Sequence, residues 1–199
     1  MEAPTGNIHS HQEVQHFMRI PWCAKLLQAA GDRDVIVKVH QNRVVQPTGS
    51  TRSNQFVRET LNTPDTIAAW VTFHAKPGPP PQYRIDEAIS LITLKRGVAG
   101  FPGCLHGGAT ALLLDEATGM HVAAQRDTAE PFNMGFRTAS LKVTYLKSIP
   151  APGTVLVRSK IVRVDGRKNY IEAQVEDEHG EALAKGEVLY IAIKSQSQI

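Results

Sequence analysis

Residues 104–124, CLHGGATALLLDEATGMHVAA, form one long apolar segment with His106, Gly107 and Gly108 at its front and a carboxylate pair, Asp115 and Glu116, in its middle. Leu113, Leu114, Ala117 and Met120 cover different faces of a 3.6-residue helix, so the spacing predicts a helix enclosed by other structure. It is the only run near membrane-spanning length. Its Asp, Glu and His and its Gly-Gly start favour a buried helix in a soluble protein.

The surroundings predict what encloses it. Residues 83–94 (YRIDEAISLITL) precede it as a strand, followed by a glycine-punctuated loop at 97–103. Strand signals follow at 138–147, 154–164, 169–177 and 182–193. Asp165-Gly166-Arg167-Lys168 and His179-Gly180 supply hairpin turns between them. Alternation is cleanest in 169–177, where Ile171, Ala173 and Val175 share one face and Tyr170, Glu172, Gln174 and Glu176 the other. One strand, one long helix and a meander predict an α+β fold, a single central helix wrapped by a curved antiparallel sheet.

Upstream the rhythm differs. Val14, Phe17, Met18, Trp22 and Leu26 have helical spacing, broken at Pro21, and residues 40–53 read as a surface loop. Thr63-Pro64-Asp65 is a helix-start signal, predicting a short helix through Ala69 and Trp70. PGPPP at 77–81 closes this region. The expected division is an N-terminal arm or cover at 1–81, a core domain at 82–193 and a tail at 194–199.

At 199 residues, 42% hydrophobic and 21% charged, the chain has room for one well-packed domain with an extension. Its net charge of +3 fits a phosphate-bearing small molecule or an acidic partner. The basic residues are interleaved with acids and no nucleic-acid-reading motif occurs, so neither nucleic acid nor membrane is an expected partner. Cys23 and Cys104 have no metal-ligand spacing, and His9 and His11 stand in a polar terminus, so no metal site is expected. The first twenty residues lack a signal core, and the expected location is cytoplasmic.

Asp115 has Ala111 and Leu112 behind it and Thr118 and Gly119 ahead at helical-neighbour spacing, with Gly108 a further turn back. Apart from Leu112 these are small, so the stripe is a groove, and Gly108, Ala111 and Gly119 are its candidate substrate-binding positions. A carboxylate there must be paired, reached by water or kept for chemistry. The residues alone leave the structural and catalytic readings open. Gly107 and Gly108 stand where the first helical N–H groups lack intrahelical partners, so a ligand oxygen could approach the positive end of the helix dipole; a sharp turn needs the same glycines.

GFPGCLHGG, with Asp115 nine residues after His106, followed by TASLKVTYLKSIPAPGT at 138–154, closely resembles the hotdog-fold acyl-CoA thioesterases. The phenylacetic-acid-type and thioesterase-superfamily-member branches are the most similar, over about residues 84–193. WCAKLL and TLNTPDTI in the arm are similar to fungal members. The resemblance implies hydrolysis of an acyl-CoA or acyl-carrier-protein thioester without a cofactor. It places an oxyanion donor at the Gly107 amide, a general base or nucleophile at Asp115, and a positioning hydroxyl at Thr138. His106 belongs to the motif and shapes the turn. Some relatives carry a side-chain amide about six residues before the histidine; here that position is Gly100.

Thr138 shares strand parity with Ser140, Lys142 and Thr144, so simple alternation turns it away from Leu141 and Val143 unless a bulge intervenes. Lys142 and Arg163, within the cationic set Arg137, Lys147, Arg158, Arg167 and Lys168, are candidates for the CoA phosphates. Glu116 points away from Asp115 and reads as a solvent or interface residue, with a lesser claim as base. Cys104 reads as core filler and His121 as a packed histidine. Gly107 and Asp115 lie about 12 Å apart along a helix, so a homodimer or dimer of dimers with shared sites is expected. A hydratase or dehydratase would need an acid/base pair for which His106 is poorly suited, and a non-catalytic acyl-CoA binding module would not need Asp115.

Overall fold

The computed structural model describes residues 12–31, 35–39, 54–77, 84–128 and 134–194. His9, His11, the expected loop at 40–53, most of the PGPPP run and residues 195–199 lie outside the described residues. The alternation at 169–177 becomes β9 (Lys168–Glu176), with Ile171, Ala173 and Val175 buried and Glu172 and Gln174 exposed. Glu176 breaks the pattern. It is buried although it lies on the polar face, because Arg158 donates to both its carboxylate oxygens at 2.9 and 3.3 Å.

Around β9 stand β1 (Val35–Val39), β2 (Ile67–Ala75), β3 (Glu87–Leu94), β6 (Met134–Tyr145), β8 (Gly153–Asp165) and β10 (Ala182–Lys194). They form one antiparallel seven-stranded sheet in the order β1-β2-β3-β8-β9-β10-β6. The expected turns are present, with Gly166 and Gly180 at φ +55° and +79°, where a side chain would be strained. Helix α3 (Gly107–Thr128) packs against β3, β6, β8, β9 and β10. That embrace explains its apolar circumference: Leu113, Leu114 and Ala117 join Trp70, Ile92, Val155, Ala173 and Val175 in the main core.

The opposite face of the sheet is covered by α1 (Gln12–Met18) and α2 (Pro21–Gly31). Phe17, Cys23 and Leu27 pack there on Ala69, Val71, Phe73, Leu91 and Leu156, which alternate with the α3-facing residues. Pro21 opens α2, where a missing N–H costs nothing; the first helical bond runs from Ala24 N–H to the Ile20 carbonyl at 2.9 Å. Because β1 and β2 are bonded into the same sheet, the sheet extends across position 81.

The helix expected from Thr63 through Trp70 is replaced by a turn at 63–66 and by β2. Thr63 Oγ1 lies 2.7 Å from Thr66 Oγ1 and accepts from Asp65 N–H at 3.3 Å, and the Thr66 hydroxyl lies 2.6 Å from the Leu61 carbonyl. These local bonds compete with helix formation. The run IAAWVTFH is then buried on both faces between α3 and the α1–α2 layer.

Candidate active site

The glycine-punctuated loop folds into a small sheet, β4 (Ala99–Phe101), β5 (Gly103–Leu105) and β7 (Pro150–Ala151). Leu105 N–H bonds Ile149 O at 2.8 Å and His106 N–H bonds Val98 O at 3.0 Å, fixing the chain as it enters α3. His106 caps the helix: its carbonyl accepts from Thr110 N–H at 2.9 Å and its Nδ1 from Gly108 N–H at 3.0 Å. Accepting at Nδ1 puts the neutral ring's proton on Nε2. The Tyr145 hydroxyl donates to the Gly107 carbonyl at 2.9 Å. The peptide joining Gly107 to Gly108 is thus held at its carbonyl and at its N–H. The Gly107 N–H, at the first helical position, is left as a donor without an intrahelical acceptor. A Cβ on Gly100 would lie 3.0 Å from His106 Cα, so the histidine occupies the space a longer side chain would need.

Two turns further on, Asp115 is half-buried. Its Oδ1 accepts from the Thr138 hydroxyl at 2.8 Å and lies 3.1 Å from the Tyr190 hydroxyl, which also donates to the Asp115 carbonyl at 2.6 Å. Thr118 Oγ1 is 3.0 Å from the same tyrosine oxygen. The parity conflict at Thr138 is resolved by a bulge. On β10, Leu189 pairs with Ser140 but Tyr190 pairs with Thr138, so Ala139 is skipped. Thr138 therefore returns to the face of Leu141 and Val143, which pack toward α3. Tyr190 was missed by the sequence reading, since it lies 75 residues from Asp115 and only the β6–β10 register brings it there. Its signal was Gly119: a Cβ there would stand 3.3 Å from the Tyr190 hydroxyl. Burial, then the Asp115 charge, pushes the Tyr190 pKa upward, so it remains a proton donor at neutral pH.

The other candidates are dispersed. Gly119 makes room for Tyr190, Ala111 is half-buried, and Gly108 lies against the His106 ring. A cavity of about 430 Å³ beside the helix start is lined by His106, Gly108, Ala109, Leu112 and Leu113, and so follows the neighbouring stripe of α3. Glu116 accepts two bonds from the Asn54 amide, both at 2.8 Å. Lys142 faces the outer side of β6 and pairs with Glu187 at 2.6 Å, directly opposite on β10. Arg163 stacks on Tyr170 with its guanidinium carbon 3.9 Å from the ring centroid. Arg158 joins Glu176 and Glu87, and Lys147 pairs with Glu181. Cys104 Sγ lies 3.5 Å from the Leu105 carbonyl.

His121 is fully buried, Nδ1 2.9 Å from Ser159 Oγ and Nε2 2.7 Å from Ile85 O; burial lowers its pKa to about 4. Among the described residues, no group of three or more His, Cys, Asp or Glu side chains is placed to hold a metal, and no helix is long and apolar enough to cross a membrane.

Residues 102–184 match the family described as thioesterase superfamily. The mouse acyl-coenzyme A thioesterase THEM4 is 32% identical over 90 residues, 45% of this chain and 36% of its own length. The uncharacterised mitochondrial membrane protein FMP10 of Saccharomyces cerevisiae is 25% identical over 146 residues, 73% of this chain and 56% of its own. The chain thus spans only about a third of the mouse relative it matches. Among solved structures, yhdA of Lactococcus lactis superposes with a TM-score of 0.50 at 20% identity, over 55% of this chain and 84% of that one.

Proposed function

We propose that this chain, which carries a hotdog-fold domain similar to the thioesterase superfamily, hydrolyses acyl-CoA thioesters to the carboxylic acid and free coenzyme A. The observation that carries the reading is the half-buried Asp115 carboxylate on the central helix, whose Oδ1 accepts from Thr138 and lies 3.1 Å from the Tyr190 hydroxyl. With Oδ1 so placed, Oδ2 is assigned to face the substrate. The Gly107 N–H donates to the thioester carbonyl and stabilises the charge that develops on it. Asp115 takes a proton from water as the water oxygen bonds to the carbonyl carbon. Collapse of the tetrahedral adduct breaks the carbon–sulfur bond, and the proton held by Asp115 passes to the departing thiolate.

One chain separates donor and base by about 12 Å of helix, so the base is assigned to a second copy. β6 supports this arrangement. It is an edge strand of twelve residues, exposed through 137–140, in a sheet whose other edge, β1, has five. Edge pairing of two copies of β6 across a twofold axis would lay two α3 helices side by side and antiparallel, bringing the Gly107 of one toward the Asp115 of its partner.

The direct test is a panel of acyl-CoA esters followed by thiol release and mass. Asp115→Asn keeps the side-chain volume and removes the base, so turnover is expected to fall by roughly 100-fold or more. Activity within a few-fold of the parent, in a variant with unchanged melting, removes Asp115 from the mechanism. A gain of water on the intact thioester would assign a hydratase, and binding without chemistry a module that only holds acyl-CoA.

A further inference from the structure

The cavity beside α3 has a wall that lies outside the superfamily match. Its helix side is built by Gly108, Ala109, Leu112 and Leu113, a stripe at three- and four-residue spacing that begins at the glycines of the helix start. Ile67 and Leu94 also line it, as do Leu61 and Phe56, the latter 55% exposed. The last two belong to a short π-helical turn, Phe56–Leu61, that precedes β2. Val57 anchors this turn and is fully buried.

The next residue of the same α3 stripe, four after Leu112 and three after Leu113, is Glu116. There the apolar lining gives way to a polar fastening. Asn54 stands at the head of the turn with φ +52°; its carbonyl accepts from Arg58 N–H at 3.1 Å and its side-chain oxygen from Val57 N–H at 3.4 Å. Its amide nitrogen donates to both oxygens of Glu116. One residue therefore shapes the turn and ties it to the central helix.

We infer that this cavity takes the acyl chain of the substrate, and that residues 54–61 form a wall that limits its length, held against α3 by Asn54 and Glu116. The inference rests on the thioesterase reading. A carbonyl on the Gly107 N–H places its acyl chain beside Gly108 and Ala109, at the end of an apolar channel. The described lining is apolar except for His106 at the helix start, so the substrate class is an unsubstituted aliphatic or flat aromatic acyl group. Glu116 is then a positioning residue acting through Asn54.

The test is a homologous series of saturated acyl-CoA esters with the full chain. KM is expected to fall roughly fourfold for each added methylene until the chain meets the wall, where kcat/KM drops. Phe56→Ala should move that break to longer chains and Ala109→Leu to shorter ones, each changing the ratio of long- to short-chain kcat/KM by tenfold or more. Glu116→Ala should relax the break in KM with the pH profile of kcat retained, whereas loss of turnover on every chain length would make Glu116 the base and overturn its positioning role. Turnover with the same break in all variants would overturn the wall and leave the thioesterase reading standing. No turnover of any ester by the parent would overturn the thioesterase reading. Displacement of a fluorescent fatty acid from folded parent and variants then decides the cavity: affinity changed by Phe56→Ala and Ala109→Leu supports it, and equal or absent binding rejects it. Ala109→Leu alters the cavity from the helix side, so failure of Phe56→Ala to fold leaves the claim open to refutation.

Discussion

Among single residues, the proposed site rests on the hydroxyls around Asp115 Oδ1. Thr138→Val removes the bond to Asp115 Oδ1, and Tyr190→Phe removes the hydroxyl that holds the Asp115 carbonyl and lies 3.1 Å from Oδ1. A hydrogen bond to a charged group is worth about 1.5–3 kcal/mol, so each is expected to lower kcat by roughly tenfold or more, less than Asp115→Asn does. Wild-type steady-state kinetics in both would show that the carboxylate needs neither to keep its orientation. His121 makes a separate prediction about stability. Burial lowers its folded pKa to about 4, below the 6.5 of the unfolded chain. The unfolded state therefore binds the proton first as pH falls, and stability present above pH 6.5 is lost down to pH 4. The loss is about 3 kcal/mol from this group. Urea unfolding at pH 7 and pH 4 should show it, and His121→Gln should flatten the difference; an unchanged difference would assign the acid lability to other groups.

At the scale of elements, α3 is both the core of the domain and the frame of the site. Leu113 is 1% exposed and packs inside the sheet, so Leu113→Ala should cost roughly 2–5 kcal/mol, read as a lowered urea midpoint. Unchanged unfolding would mean that the sheet closes over the lost volume. The bulge between β6 and β10 turns Thr138 to the side of Asp115, which the proposed site requires. Without the skipped Ala139, Thr138 would share the outer face with Lys142, which pairs there with Glu187. The small sheet β4-β5-β7 plays a comparable part at the helix start, where His106 and Tyr145 hold the peptide that follows the proposed oxyanion donor.

At the scale of the whole molecule, the question is how many chains make one site. Gly107→Pro removes the N–H at a helix position that tolerates proline, and the atoms nearest a Cβ there, Tyr145 Cε1, Cζ and the hydroxyl oxygen, lie at 3.6–3.7 Å, ordinary contact. Asp115→Asn removes the proposed base. If sites are shared across a twofold axis, a heterodimer of the two variants has one site with both defects and one intact. Co-refolding should then restore up to half of the parent activity per heterodimer. If each site lies within one chain, every site keeps a defect and mixing restores nothing. That result, with heterodimers verified by mass, would end the shared-site assignment.

The central helix and the meander were legible because each is written in local periodicity, whereas the roles expected at Gly107, Asp115 and Thr138 came from the resemblance to the hotdog thioesterases. Ile171, Ala173 and Val175 repeat every second residue, the helix is apolar around its circumference, and Gly-Gly stands where a helix must begin. The Thr63–Trp70 segment was not legible, because a helix-start signal and a strand buried on both faces share the same few residues, and only the two covering layers select the strand. Strand β1, Val-Ile-Val-Lys-Val, carries a short β-branched signal that the reading passes over, and the turn at Phe56–Leu61 has no periodic signature. Helical spacing marks Asp115 as a carboxylate over a small-residue stripe, and the resemblance makes it the candidate base or nucleophile. Its partners came from register: Tyr190 reaches it across 75 residues, and Thr138 through a skipped residue. Sequence spacing fixes which face a residue takes within its own element, whereas the meeting of faces from distant elements is set by how strands pair, and that is decided only when the sheet closes around α3.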